Sequence, residues 1–235
     1  MAYSEKYFLR GTSPDGVGFK IRILKDGFSG STEELKLLSG SAKHSYKHSD
    51  WFQPMIGNSF TFSILNDKTD WYDLEDLMTL EEREFQIIVD ASFNGEELTV
   101  FNGWINSDII TQNYFNNSTF TLTGSNYMSK LGEGFYPSII DTIAKTSLID
   151  ILNETFKLTG KNDNILVYNT LDPSEGILGP GQTCLNICGV DTEVFWENNI
   201  ERTTGTDIID DILIPLDSYI YWWNGKWKIQ RYADI

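Results

Sequence analysis

His44 and His48 stand four residues apart, and so do Cys184 and Cys188. On a helix that spacing puts both members of a pair on one face. Together the pairs would supply the Cys₂His₂ set of a structural zinc site. Ser45 follows the first histidine where a zincin requires glutamate, so no metalloprotease pattern is present. The two pairs are separated by about 140 residues, whereas structural zinc pairs sit closer along a chain. Small buried cysteines and surface histidines are the better expectation.

Carboxylates are abundant, but abundance does not make a catalytic dyad. Glu81-Glu82 and Asp210-Asp211 are adjacent residues, which point in different directions in a helix or a strand. There is no calcium loop of alternating Asp and Asn, no Gly-x-Ser-x-Gly elbow and no Gly-Lys-Ser/Thr phosphate loop. Gly179-Pro180-Gly181 resembles the last only in its glycines. The sequence assigns no catalytic, cofactor-binding or metal-ligating residue and implies no cofactor. One binding feature stands out: Trp222, Trp223 and Trp227 cluster near the end of the sequence. Neighbouring residues in a strand face opposite ways, so one of the first two is exposed unless covered. An aromatic platform of this kind could stack on sugar rings, although core or subunit-interface packing is favoured.

The elements that would position these residues are strands in the first half. Phe19, Ile21 and Ile23 alternate with Lys20 and Arg22, and Tyr7 to Arg10 is a partner strand across Pro14-Asp15-Gly16. Phe60, Phe62 and Ile64 repeat the period of two, as do Phe85, Ile87 and Val89. Asn94-Gly95 is a hairpin signal leading into Leu98 to Ile105, and Thr119 to Thr123 adds a further strand. Trp71 to Met78 reads as a short helical turn. Short strands at this spacing indicate a sandwich or barrel.

The pattern changes near Gly132 to Pro137. From a cap at Ser138, with Asp141 three residues on, apolar residues from Ile139 to Phe156 fit a helical stripe closing at Gly160. Thr146-Ser147 interrupts it, and a break between two shorter helices fits equally. Asp172 to Gln182 is a loop, Thr206 to Leu213 a second helix ended by Pro215. Tyr219 to Trp223 and Lys226 to Tyr232 flank Asn224-Gly225 as a terminal hairpin. The fold class expected is α+β and β-rich. Residues 1-134 form an antiparallel β-sandwich or barrel, and residues 135-235 a smaller mixed α/β domain, with interleaving of the two open.

With 235 residues, 40% of them hydrophobic and 14% aromatic, the chain can bury a substantial core. A formal charge of -16 disfavours nucleic-acid binding through the phosphate backbone. From Asp70 to Asp108 eleven acids accompany a single base, Arg83, while from Glu5 to Asp50 eight bases accompany six acids. A plain solvated acidic surface explains this; oppositely charged faces would favour head-to-tail association. No secretory signal and no membrane span is expected.

Lys25-Asp26-Gly27-Phe28-Ser29-Gly30, Phe52-Gln53-Pro54-Met55-Ile56-Gly57-Asn58-Ser59, Leu80-Glu81-Glu82-Arg83-Glu84-Phe85, Phe101-Asn102-Gly103-Trp104-Ile105 and Asn224-Gly225-Lys226-Trp227-Lys228-Ile229 follow one another in this order. The series resembles tail-hub or baseplate-type structural proteins of Bacteroides-infecting, crAss-like phages and prophages. It departs from that pattern at Gly57-Asn58-Ser59, where Gly-Ser is expected, and at Ser125-Asn126, where Asp-Gly is expected. Family members also often continue beyond the terminal hairpin, so a shortened hub relative and an adaptor both fit. The resemblance implies a virion protein, assembled in the host bacterial cytoplasm, that is not an enzyme. It implies a homo-oligomeric ring, threefold or sixfold, docked to other phage tail proteins, with no membrane partner. A host-surface glycan-binding module is the alternative, resting on the tryptophans. A wall-degrading enzyme would need positioned carboxylates or a metal.

Overall fold

The computed structural model describes residues 2–47, 53–65, 74, 76–77, 83–93, 95–106, 111–112, 119–132, 134, 145–160, 163–168, 183–197 and 201–232. His48, Trp71, Met78, Glu81, Glu82, Asn94, the Ser138–Asp141 cap and the 172–182 loop lie outside these residues. The fold is β-rich α+β. The chain forms two compact units, Met1–Lys47 with Asn58–Asn126, and His48–Gly57 with Tyr127–Ile235.

In the first unit, β1 (Tyr3–Thr12) and β2 (Gly18–Asp26) form the expected antiparallel pair. β3 (Glu33–Glu34), β4 (Lys36–Leu37) and β5 (Lys43–Lys47) are short. β6 (Met55–Leu65), β7 (Phe85–Phe93), β8 (Glu96–Ile105), β9 (Thr111–Gln112) and β10 (Thr119–Asn126) complete the set. The strand order is β6-β10-β8-β7-β2-β1-β3, with β4 and β5 also paired to β6 and β9 to β10.

That order closes on itself. β3 runs parallel to β1, and the Leu35 N–H donates to the Phe8 carbonyl at 2.9 Å. The next residues, in β4, pair antiparallel with Leu65 and Ile64 of β6. One short run of chain therefore pairs with both end strands, so the first unit closes as a barrel rather than a sandwich, through two residues of β1 and two of β6. Alternation then puts Leu9, Ile21, Ile23, Phe62, Ile87, Phe101 and Leu122 into one core, with Leu74 and Leu77 of the short helical turn added to it. Thr61 and Ser63 point outward and hydrogen-bond to Thr123 and Thr121 at 3.0 and 2.8 Å.

Gly103 is required by close packing. A Cβ there would lie 2.1 Å from the Ser125 carbonyl oxygen of β10. Gly57 lies within β6, which begins at Met55, so Pro54 and Gly57 do not frame a turn as their residue types suggest.

In the second unit, β11 (Lys145–Ser147) precedes α1 (Leu148–Phe156), followed by β12 (Ile165–Val167), α2 (Cys184–Ile187), β13 (Gly189–Asp191), β14 (Trp196–Glu197) and β15 (Glu201–Arg202). α3 (Gly205–Leu213), β16 (Ser218–Trp223) and β17 (Lys226–Arg231) end it. β12 lies parallel to β17, β17 antiparallel to β16, and β16 parallel to Met55 and Ile56. β11 pairs with β13 and β14 with β15.

Of the two readings of the stripe, the break at Thr146-Ser147 is the one observed and the continuous helix is corrected: Lys145–Ser147 is a strand and α1 starts at Leu148. Ser147 caps it, its hydroxyl accepting from the Asp150 N–H. α3 spans Gly205–Leu213, capped the same way by Thr204. Asn224 and Gly225 hold φ of 49° and 74°, the pair of positive values a type I′ turn needs.

Candidate functional site

The terminal hairpin separates its three tryptophans by face. Trp222 and Trp227 are paired across β16 and β17 and are 1% and 0% exposed. Phe156 of α1 stacks on Trp227 with ring centroids 4.6 Å apart, and the Trp222 indole donates to Asp163 at 2.9 Å. Both rings are therefore core, together with Ile220 and Ile229 of the same face and the apolar residues of α1 and α3. Neither can stack on a ligand.

Trp223 projects from the opposite face and is half-buried. Tyr221 shares that face, and its hydroxyl lies 3.4 Å from the Gln230 side-chain oxygen. Tyr168, which follows β12 and is 48% exposed, flanks it on the other side. The Lys228 ammonium lies between, 5.6 Å from the Tyr168 ring and 6.0 Å from the Trp223 ring. Rings and an ammonium presented side by side can stack on C–H faces and donate to oxygen acceptors. Only Trp223 of the cluster takes part, and sequence reasoning missed Tyr168 because it lies far from the hairpin in sequence. Period-two alternation along Tyr219, Tyr221 and Trp223 was the available signal.

On the helix side of the same sheet lies a cleft of about 200 Å³, lined by Val167, Leu185, Leu216, Ile229, Cys184 and Arg231, among others. Burial pushes the Cys184 thiol pKa up, Cys188 adds to this and Arg231 opposes it. Cys188 is exposed and Cys184 half-buried, so the expectation of two buried cysteines is corrected. α2 is a single turn whose middle residue Leu185 is buried, which leaves its two ends towards solvent.

The surface-histidine expectation fails at His44. Its ring packs against Tyr46, Phe60 and Phe101, with centroids 4.7, 6.2 and 6.0 Å away. Its Nε2 is buried without a hydrogen-bond partner, and burial lowers its pKa. His48, Glu81, Glu82 and Gly179 to Gly181 lie outside the described residues. Among the described residues no three His, Cys, Asp or Glu side chains gather as metal ligands. Asp210 is half-buried and Asp211 exposed on α3; burial, then Asp207 and Asp211, raise the Asp210 pKa.

Among the described residues, three bases of the barrel pair with acids of the central stretch. Arg22 pairs with Asp90 at 2.7 Å and Lys25 with Glu84 at 2.9 Å; Lys6 pairs with Asp76. Each base comes from the first, base-rich stretch and each acid from the acidic one. The hydrogen bond to Glu84 holds Lys25 above the ordinary lysine pKa. Lys20 and Glu5 add a pair at 3.1 Å, within an open concave face of the barrel that also carries Arg10, Glu97 and Thr99. Arg83 contributes to the barrel through its backbone: with φ of 70° it turns the chain into β7, and its carbonyl accepts from the Tyr3 hydroxyl at 2.5 Å.

No helix among the described residues is long and apolar enough to cross a membrane. No family model matches the chain, and no curated protein matches it. Solved structures with a similar chain path include the 43 kDa tail protein of prophage MuSo2 from Shewanella oneidensis, 14% identical, covering 84% of this chain and 53% of that one with a TM-score of 0.46. The tail protein from Neisseria meningitidis MC58 is 12% identical, covers 90% and 50%, and has a TM-score of 0.47. The prophage tail protein gp18 from Listeria monocytogenes is 12% identical, covers 83% and 45%, and has a TM-score of 0.42. The chain spans about half the length of these proteins, 45% to 53%.

Proposed function

We propose that this chain is a structural component of a bacteriophage tail, of the hub or baseplate type, which assembles as a homo-oligomeric ring and docks other tail proteins. The observation that carries the reading is where the resembling segments fall. Lys25 to Gly27 end β2 in a turn with Gly27 at φ 67°. Arg83 to Phe85 turn the chain into β7, and Phe101 to Ile105 form the part of β8 that packs closest on β10. Asn224 and Gly225 make the terminal turn. Phe52 and Leu80 to Glu82 lie outside the described residues. Those segments thus make the framework of barrel and hairpin, which is the part a shared tail fold would have to preserve. A ring, threefold or sixfold, requires head-to-tail contacts between copies that close by rotation.

Electron microscopy of the particle carrying this chain, with native mass spectrometry of the isolated protein, tests the reading. A closed ring that co-purifies with tail proteins is expected. Monomer at every concentration, together with absence from the tail, would overturn it.

A second reading, glycan binding at the host surface, is favoured by the Tyr168, Trp223 and Lys228 face. The buried Trp222 and Trp227 play no direct part in it. Loss of binding on a glycan array in Trp223→Ala and Tyr168→Ala supports this reading; an array without hits for the unaltered chain removes it.

A further inference from the structure

The cleft on the helix side of the terminal sheet draws its apolar lining from four elements. Val167 ends β12, Ile229 lies in β17, Leu185 in α2 and Leu216 in the turn from α3 to β16. Backbone bonds fix that turn: the Leu216 and Asp217 N–H groups donate to the Leu213 and Ile214 carbonyls at 3.1 and 3.0 Å. The Ser218 hydroxyl donates to the Leu216 carbonyl at 2.9 Å. Leu185, 1% exposed, anchors α2 in the core. The cleft is therefore preformed. Its volume of about 200 Å³ lies below the roughly 300 Å³ of the smaller drug-sized ligand sites, so it suits a chain of a few carbons.

Arg231, which ends β17, is the base in that lining. It is half-buried, and its Nε is sealed from solvent without a hydrogen-bond partner. Among the described residues its guanidinium has no ion pair. Its charge reaches Cys184 in the same lining, opposing the rise that burial gives that thiol. A guanidinium half out of water and short of partners is completed by a carboxylate, to which its planar fork donates from two nitrogens. We propose that this cleft is a binding site for a short aliphatic carboxylate, with the chain against Val167, Leu185, Leu216 and Ile229 and the carboxylate on the Arg231 guanidinium. An alcohol of the same length leaves the guanidinium uncompensated, and acetate leaves the apolar lining wet, so both bind less well. Asp217, exposed at the same cleft, disfavours a second negative charge on the ligand.

Cys184 lines the cleft and exposed Cys188 does not, so the two thiols report occupancy in the unaltered chain. The test is a titration of the full chain with sodium hexanoate, with alkylation of each thiol by iodoacetamide followed by tandem mass spectrometry. Saturable slowing at Cys184 alone is expected, with hexan-1-ol and sodium acetate each needing about tenfold higher concentration for the same effect. Arg231→Gln should raise the hexanoate requirement about tenfold and leave the hexan-1-ol requirement unchanged. The comparison of hexanoate with hexan-1-ol on the unaltered chain decides the matter even where that variant folds poorly. Equal slowing at both cysteines, no slowing at either, or hexan-1-ol as effective as hexanoate would each overturn the proposal. None of these readouts depends on tail assembly.

Discussion

At the scale of single residues, the consequential side chain is one whose type suggested a metal and whose half-buried ring packs among aromatics. His44 sits among Tyr46, Phe60 and Phe101 with Nε2 buried and unpartnered, and no carboxylate is among those ring neighbours. Charging that half-buried imidazole would partly desolvate an uncompensated cation, so burial lowers its pKa below the ordinary 6.5. The sign of the pH effect follows. The unfolded chain takes up the proton first as pH falls, so His44 withdraws stability once pH drops below 6.5, and the loss levels off only below the depressed folded value. Urea midpoints measured from pH 8 to pH 5 should therefore fall for the native sequence, and His44→Phe should flatten the curve. An equal slope in both proteins would show that the ring titrates freely. Residue type alone could not reveal this, because His44 has a surface-like sequence context between Lys43 and Ser45, and its burial depends on the distant Phe60 and Phe101.

At the scale of elements, strands with strict alternation were legible. The partnering of Tyr7 to Arg10 with Phe19 to Ile23, the strands at Phe60, Phe85 and Thr119, and the terminal hairpin all follow from period two and turn chemistry. β3 and β4 were not, because strands of two residues carry no periodicity; only their hydrogen bonds to β1 and β6 define them. The interruption at Thr146-Ser147 was legible as a break in the stripe, but not that Lys145–Ser147 pairs with β13 as a strand before Ser147 caps α1. Losing that cap leaves first-turn amides without a partner. Ser147→Ala should cost about 1 kcal/mol in urea denaturation. Ser147→Asp, which keeps an acceptor at the same position, should recover most of it. No loss in the alanine variant would mean that the turn of β11 into α1, rather than the hydroxyl, starts the helix.

At the scale of the whole molecule, the sequence's uneven charge suggested faces of opposite character, yet the barrel brings Lys6, Arg22 and Lys25 onto Asp76, Asp90 and Glu84. Residues far apart in sequence become neighbours through strand order, which charge counts along the chain cannot show. The same long-range logic governs closure. Leu35 lies where β3 ends and β4 begins; its side chain is buried and its N–H satisfies the Phe8 carbonyl. Leu35→Pro removes that donor and a buried side chain at once, leaving β1 and β6 without the segment that joins them. The orphaned carbonyl alone is worth roughly 1–3 kcal/mol, and the opened edges invite pairing between molecules. Hydrogen exchange read by mass spectrometry should show protection lost at Phe8 to Arg10, Lys36 to Leu38 and Ser63 to Leu65, with a rise in aggregation. The hairpin of Ser218 to Arg231 has its own core of Trp222, Trp227 and Phe156, so it should keep its protection. Simultaneous loss in the hairpin would mean instead that the two units open as one cooperative structure, and that β6, which contributes to both, transmits the opening.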